Sequence, residues 1–123
     1  MNVLIIEDNP TNMKLAADLL KRQGHTVFQA ADAATGIVIA REEIPDLILM
    51  DIQLPGMDGL SAVRILREDE RTKHIKIYAL TAFAMSGDRE RMIEGGCDGY
   101  IPKPIRYKEF FESVDKVLKE MKS

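Results

Sequence analysis

The chain has 123 residues, of which 20 are acidic and 17 basic, for a net charge of −3. That length suits one domain with one well-covered core and is too short for two, and the evenly mixed charge gives no field that would recruit nucleic acid or an anionic membrane. The lone cysteine, Cys97, excludes an internal disulfide, and the first apolar run, Val3 to Ile6, ends on Glu7 and Asp8 too soon to be a signal peptide or a membrane span. A cytoplasmic protein is expected.

Asn2 to Ile6 reads as a short buried strand. Asn9 then suits a helix N-cap with Pro10 at the first helical position, and Met13, Ala16, Ala17 and Leu20 share one face of a helix that stops before Gly24. Thr26 to Ala30 is β-branched and aromatic, a second strand. Ala33, Ile37, Ala40 and Ile44 recur at helical spacing, which predicts a helix to about Glu43 that Pro45 ends. Leu47 to Met50 is a continuous apolar run that breaks off at Asp51, as expected of a strand buried on both sheet faces. After the Leu54-Pro55-Gly56 turn, Asp58 can cap a helix with Ala62, Val63 and Leu66 facing inward.

Ile75 to Thr81 is a fourth strand ending on a hydroxyl. The helix after it, with Ser86 or Asp88 as cap, is weakly specified: Gly87, Gly95 and Gly96 flank it and only Met92 and Ile93 give it an apolar stripe. Gly99 to Ile101 is a brief fifth strand. The last helix carries Tyr107, Phe110, Phe111, Val114, Val117, Leu118 and Met121 at nearly ideal spacing. Five strand–helix alternations with short connections predict an α/β fold, a flavodoxin-like (βα)5 three-layer sandwich. Its parallel sheet has the order 2-1-3-4-5, with helices on both faces.

In such a sheet, the carboxyl edge collects Glu7, Asp8 and Asp51, with Thr81 and Lys103 at the ends of the fourth and fifth strands. Each close carboxylate pair repels by roughly 4 kcal/mol at an effective dielectric near 20. A hard divalent cation is the usual compensation, and Mg²⁺ suits the site, with Mn²⁺ as a substitute. With cation and ammonium beside it, Asp51 can act as a nucleophile towards a phosphoryl group, assisted by Thr81 and Lys103. Taken singly, each group has a plain structural reading: Glu7 and Asp8 as charge at a helix N-terminus, Thr81 as a strand threonine, Lys103 as a solvated lysine. Their joint placement at one sheet edge carries the functional reading. Cys97 reads as packing, and His25 and His74, without acidic partners in sequence, read as surface residues.

The strings Ile5-Ile6-Glu7-Asp8-Asn9, Met50-Asp51 with Leu54-Pro55-Gly56-Met57-Asp58-Gly59, Leu80-Thr81-Ala82 and Lys103-Pro104 resemble the receiver domain of two-component response regulators over essentially the whole chain. Asn12-Met13-Lys14 and Thr81-Ala82-Phe83-Ala84-Met85 make the single-domain DivK type the most similar, and because receiver modules of hybrid histidine kinases share these strings, a module excised from such a kinase is the alternative reading. The resemblance implies that Asp51 accepts a phosphoryl group from the phosphohistidine of a sensor kinase or phosphotransfer protein. Mg²⁺ would be held by Glu7, Asp8, Asp51 and the Gln53 carbonyl. It also implies phosphoryl binding by Thr81 and Lys103, Tyr100 as a switch residue on the face of the fourth helix, fifth strand and fifth helix, and a cis Lys103-Pro104 bond.

Two positions vary the pattern. Glu7 replaces the commoner aspartate and lengthens the arm, which favours a water-mediated role, and Pro102 stiffens the approach to Lys103. By the same resemblance, Gln53 and bulky Phe83 would flank the path of an attacking water, so slow self-dephosphorylation is expected. The chain is then a phosphoacceptor signalling protein rather than an enzyme with an external substrate. It is expected to lack an output domain and to act on downstream proteins as a monomer, with dimerisation on phosphorylation left open.

Three other readings compete. A phosphohydrolase resembling the haloacid dehalogenases would want a second aspartate where Gln53 stands. A flavodoxin-like phosphate cradle would want glycines where Glu7 and Asp8 stand. A receiver that binds partners without phosphorylation would have no use for the intact constellation.

Overall fold

The structure, a computed structural model, describes residues 1–82 and 86–122, except the side chains of 86, 87 and 122. Its elements are β1 (Asn2–Ile6), α1 (Pro10–Arg22), β2 (Thr26–Ala30), α2 (Ala33–Glu43), β3 (Leu47–Asp51), α3 (Gly59–Glu68), β4 (Lys76–Thr81), α4 (Ser86–Glu94), β5 (Gly99–Pro102) and α5 (Tyr107–Lys122). The strands form one parallel sheet in the order β2-β1-β3-β4-β5.

The strand pleat divides the core in two. Leu4, Ile6, Ile48, Met50, Ile77 and Ala79 pack against α2, α3 and Met92 of α4. The alternate positions Val3, Ile5, Leu47, Leu49, Tyr78 and Leu80 pack against Ala16, Ala17, Leu19 and Leu20 of α1 and Phe110, Val114 and Val117 of α5. All of β3 is buried, and covering each of its large apolar side chains contributes on the order of 2 kcal/mol. The apolar run before Asp51 therefore anchors the strand from both sides.

Helix starts follow local chemistry. Asn9 Oδ1 accepts the Thr11 and Asn12 amides at 2.9 and 3.1 Å, with Pro10 opening α1. Asp58 Oδ1 accepts the Ser61 amide at 2.9 Å at the head of α3. Asp32, a cap that periodicity alone does not single out, accepts the Thr35 amide at 2.7 Å and starts α2.

Several sequence expectations need correction. Ile44 is not on the buried face of α2: it is 39% exposed and forms the C-cap in the left-handed region, at φ 44°. The chain must turn there to reach Pro45, and a β-branched residue is strained in that conformation. Ile44→Gly is therefore expected to stabilise the fold by about 1 kcal/mol, read from the urea midpoint at unchanged slope. Tyr107 and Met121 lie on the outer margin of α5, and Ile93 on that of α4, at 60%, 45% and 53% exposure. The apolar contribution of α4 among the described residues thus falls to Met92. His25 is buried rather than on the surface, because β1–β2 pairing sets its Nδ1 3.0 Å from the Met1 amine. Burial, then that neighbouring positive charge, lowers its pKa.

The carboxyl-terminal end of α4 is tied down by Arg67 of α3. Its Nε donates to Gly96 O at 2.9 Å, its Nη1 to the carbonyls of Lys73 and Ile75 at 2.8 and 2.6 Å, and its Nη2 to Asp98 Oδ2 at 2.8 Å. Asp98 Oδ2 also accepts the Ile77 amide at 2.9 Å, which joins this anchor to the start of β4.

Candidate functional site

The site is built by strand register. Ile6 pairs with Met50, so Glu7 and Asp51 leave the sheet beside each other. Thr81 pairs with Pro102, and the Lys103 amide donates to Thr81 O at 2.7 Å, carrying the β4–β5 ladder one step further. Pro102 is thus the last residue of β5, and the Lys103-Pro104 peptide is cis, as expected. The opposite wall is the start of α3, where Gly59 lies so close that a Cβ would sit 2.3 Å from Asp51 O and 2.5 Å from Ile52 Cα. Only glycine permits that approach.

Glu7, Asp51 and Thr81 are buried, at 2%, 3% and 1% exposure, while Asp8 is exposed at the mouth. One carboxylate oxygen from each of Glu7, Asp8 and Asp51 falls within a 4.8 Å cluster. Asp51 is held at both oxygens: Oδ1 accepts the Gln53 amide at 2.9 Å, and Oδ2 faces Lys103 Nζ at 3.2 Å. The same ammonium lies 2.8 Å from Glu7 Oε1, which is fully buried yet lacks a hydrogen-bond partner of good alignment.

Burial pushes the Asp51 carboxyl above the usual range, and the neighbouring Glu7 carboxyl adds to this; the Gln53 amide and Lys103 oppose both. Burial alone would lower the Lys103 pKa, but Glu7 and Asp51 together outweigh it and hold it above its ordinary value. The group is therefore an anion-rich pocket with one internal cation. It has oxygen donors for a hard metal ion and an acceptor carboxylate kept in place.

Glu7, Asp8, Asp51 and Lys103 meet as expected. Thr81 stands at the adjoining strand end, and exposed Gln53 follows Asp51 on the loop. Tyr100 lies away from the carboxylates. It is half-buried on the β5 face shared with α4, where the Arg89 guanidinium sits 5.1 Å from its ring centroid. Phe83 lies outside the described residues. Cys97 is buried packing, its thiol pushed up to about 11 by desolvation, which leaves it unreactive.

Sequence reasoning did not find the role of Gly59 or the Glu7–Lys103 pair. The Asp58-Gly59 dipeptide was visible, but that the glycine faces the Asp51 backbone depends on how α3 docks.

Fold and site together are those of a receiver module of two-component signalling. The chain belongs to the response regulator receiver domain family, whose sequence profile matches residues 3–115. Among curated proteins it is similar to the polar-differentiation response regulator DivK of Brucella ovis, with 46% identity over 117 residues covering 95% of each chain. Among solved structures it resembles the receiver domain of a Pseudomonas aeruginosa sensor histidine kinase, in which a magnesium ion is coordinated in the active-site cleft. The identity is 35% and the TM-score 0.88, over 96% of this chain and 97% of that one. The chemotaxis regulator CheY4 of Vibrio cholerae shares the fold at a TM-score of 0.90 and 23% identity, covering 94% and 97% of the two chains. Membership of this family sets aside the phosphohydrolase and flavodoxin-like readings. No helix among the described residues is long and apolar enough to cross a membrane.

Proposed function

We propose that Asp51 accepts a phosphoryl group from the phosphohistidine of a sensor histidine kinase or phosphotransfer protein, and that this changes the outer face of α4, β5 and α5 for downstream protein partners. The observation that carries the reading is the state of Asp51. The carboxylate is buried, with one oxygen held by an amide at 2.9 Å and the other facing an ammonium at 3.2 Å. That is the geometry of an oriented nucleophile beside a counter-charge. An Asp51 oxygen forms the new bond to phosphorus as the phosphorus–nitrogen bond of the donor breaks, and the electron pair leaves with the imidazole.

The unaligned, fully buried Glu7 Oε1 and the all-oxygen donor set fit a hard divalent ion, Mg²⁺ with Mn²⁺ as a substitute. Glu7, Asp8, Asp51 and the Gln53 carbonyl would hold it, and its chemistry there is to neutralise charge on the phosphoryl oxygens. Lys103 supplies the second positive charge. Thr81 binds a phosphoryl oxygen through its hydroxyl and, as it moves, draws Tyr100 from its place beneath Arg89. Gln53 at the rim, with Phe83 two residues beyond Thr81, slows hydrolysis of the acyl phosphate by hindering the attacking water. The setting in which a histidine kinase delivers phosphoryl groups is the cytoplasm.

Beryllofluoride with Mg²⁺ tests the whole sequence of events. Amide resonances of Asp51, Thr81, Tyr100 and the α4 and α5 faces are expected to shift together in the wild type and to stay in place in Asp51→Asn. Shifts confined to the pocket would refute the coupling, and no shift at Asp51 would refute the acceptor.

A further inference from the structure

The layer formed by α1 and α5 has an open seam. The two helices pack side by side on one core cluster, and between them runs a groove of about 570 Å³ lined by Leu15, Leu19, Arg22, Gln23, Tyr107 and Phe111. Leu15 and Tyr107 are exposed there, and the Tyr107 and Phe111 rings stand edge to face with centroids 6.1 Å apart. One wall is therefore aliphatic and the other aromatic. Leu15, Leu19 and Arg22 follow one another along a single side of α1, and the stretch from the first to the last spans about 10 Å.

Arg22 closes this apolar slot with an uncompensated charge. It takes part in no ion pair among the described residues. Asp18, one turn back on α1, is paired with Lys14 at 3.1 Å, and Asp115 of α5 accepts from Gln23 Nε2 at 3.4 Å. The acids that could neutralise the guanidinium are engaged with other side chains.

We propose that the α1–α5 groove is a binding site for an amphipathic carboxylic acid, a medium-chain fatty acid by its length, with the chain between Leu15, Leu19, Tyr107 and Phe111 and the carboxylate on Arg22. Covering the exposed parts of Leu15 and Tyr107 together with the acyl chain supplies the driving force. The planar guanidinium offers the carboxylate two parallel donors. The volume is that of a small-molecule pocket. A protein partner fits less well, because a stable interface takes about 20–30 residues a side. The residues beside Leu15, Tyr107 and Phe111 in sequence, which are Lys14, Lys108 and Glu112, are charged and exposed. Both helices begin at the carboxyl edge of the sheet and run back from it, so Arg22 lies at the far end from Asp51.

The test is a titration of the full chain with decanoate, kept below its micellar concentration and followed through the methyl resonances of Leu15 and Leu19 and the ring resonances of Tyr107 and Phe111. Saturable shifts at these four residues are expected, with a dissociation constant of about a millimolar or below. Arg22→Gln is expected to weaken decanoate by at least about threefold and not to weaken decylammonium, which has the same chain and the opposite charge. Shifts that fail to saturate, or that spread over the surface instead of the groove, would overturn the proposal. So would equal affinity of wild type and Arg22→Gln for decanoate, or a loss that decylammonium shares. Asp51→Asn is expected to bind decanoate as wild type does, so this site and the phosphoryl-accepting function stand or fall separately.

Discussion

Asp51→Asn is expected to abolish phosphoryl acceptance, by at least about a thousandfold, while raising the melting temperature by roughly 4 °C. The two effects have one origin. Asparagine keeps an oxygen for the Gln53 amide, at 2.9 Å in the wild type, but has no charged nucleophile. It also removes a buried charge from beside Glu7, which retains Lys103 at 2.8 Å. Groups retained for chemistry at a cost in stability are common at functional sites.

The pH dependence separates this account from a packing effect. The folded Asp51 carboxyl is raised above its ordinary value, first by burial and then by Glu7, so the folded state takes up its proton at higher pH than the unfolded chain does. Its ionisation therefore costs stability above the raised value, and the cost disappears as pH falls into the ordinary carboxylate range. The stability advantage of Asp51→Asn should be full near neutrality and should close as pH approaches about 4. Thermal scans at several pH values, alongside phosphotransfer from a phosphohistidine donor, give both halves. An advantage independent of pH would disprove the electrostatic origin.

Gly59→Ala has the second large effect expected, a loss of about 3 kcal/mol and more than roughly 10 °C in melting temperature. The clash is with backbone at the end of β3, Asp51 O at 2.3 Å and Ile52 Cα at 2.5 Å, so no rotamer change relieves it. Either α3 rises off the sheet or the end of β3 bends. Each moves the acceptor carboxylate, so phosphoryl acceptance should fall at least about tenfold at temperatures where the variant remains folded. Urea unfolding and phosphotransfer on the same sample measure the two losses. A variant as stable and as active as wild type would show that the α3 contact does not place Asp51.

These residues also mark where sequence reading stopped. The five strands and their order were legible because each buried strand is a short apolar run with a capped helix behind it, as at Asn9 and Asp58. The site was legible because its groups stand at the ends of those runs, where a parallel sheet brings them together. The exposure of Ile44 was not legible because its spacing continues the α2 periodicity, although Pro45 placed the helix end at Glu43 correctly. The burial of His25 follows from strand pairing across distant sequence positions. The Arg67 anchor takes in four carbonyl or carboxylate partners on two segments, and an arginine among charged helix residues gives no local sign of it. The Glu7–Lys103 contact depends on a difference of tenths of an ångström between two carboxylates, which spacing cannot encode.

The Arg67 anchor has a mechanical consequence. It clamps the chain just past the end of α4, at Gly96 and Asp98, whereas the helix begins on the side of Thr81. If α4 moves on phosphorylation, this clamp favours a rotation about its carboxyl-terminal end over a translation of the whole helix. The helix is nine residues long, a lever arm of about 13 Å at 1.5 Å per residue. A tilt of only about 10° would carry its amino-terminal end roughly 2 Å by the same geometry. A docked partner spanning the length of α4 would therefore register the change at one end and find the other unmoved.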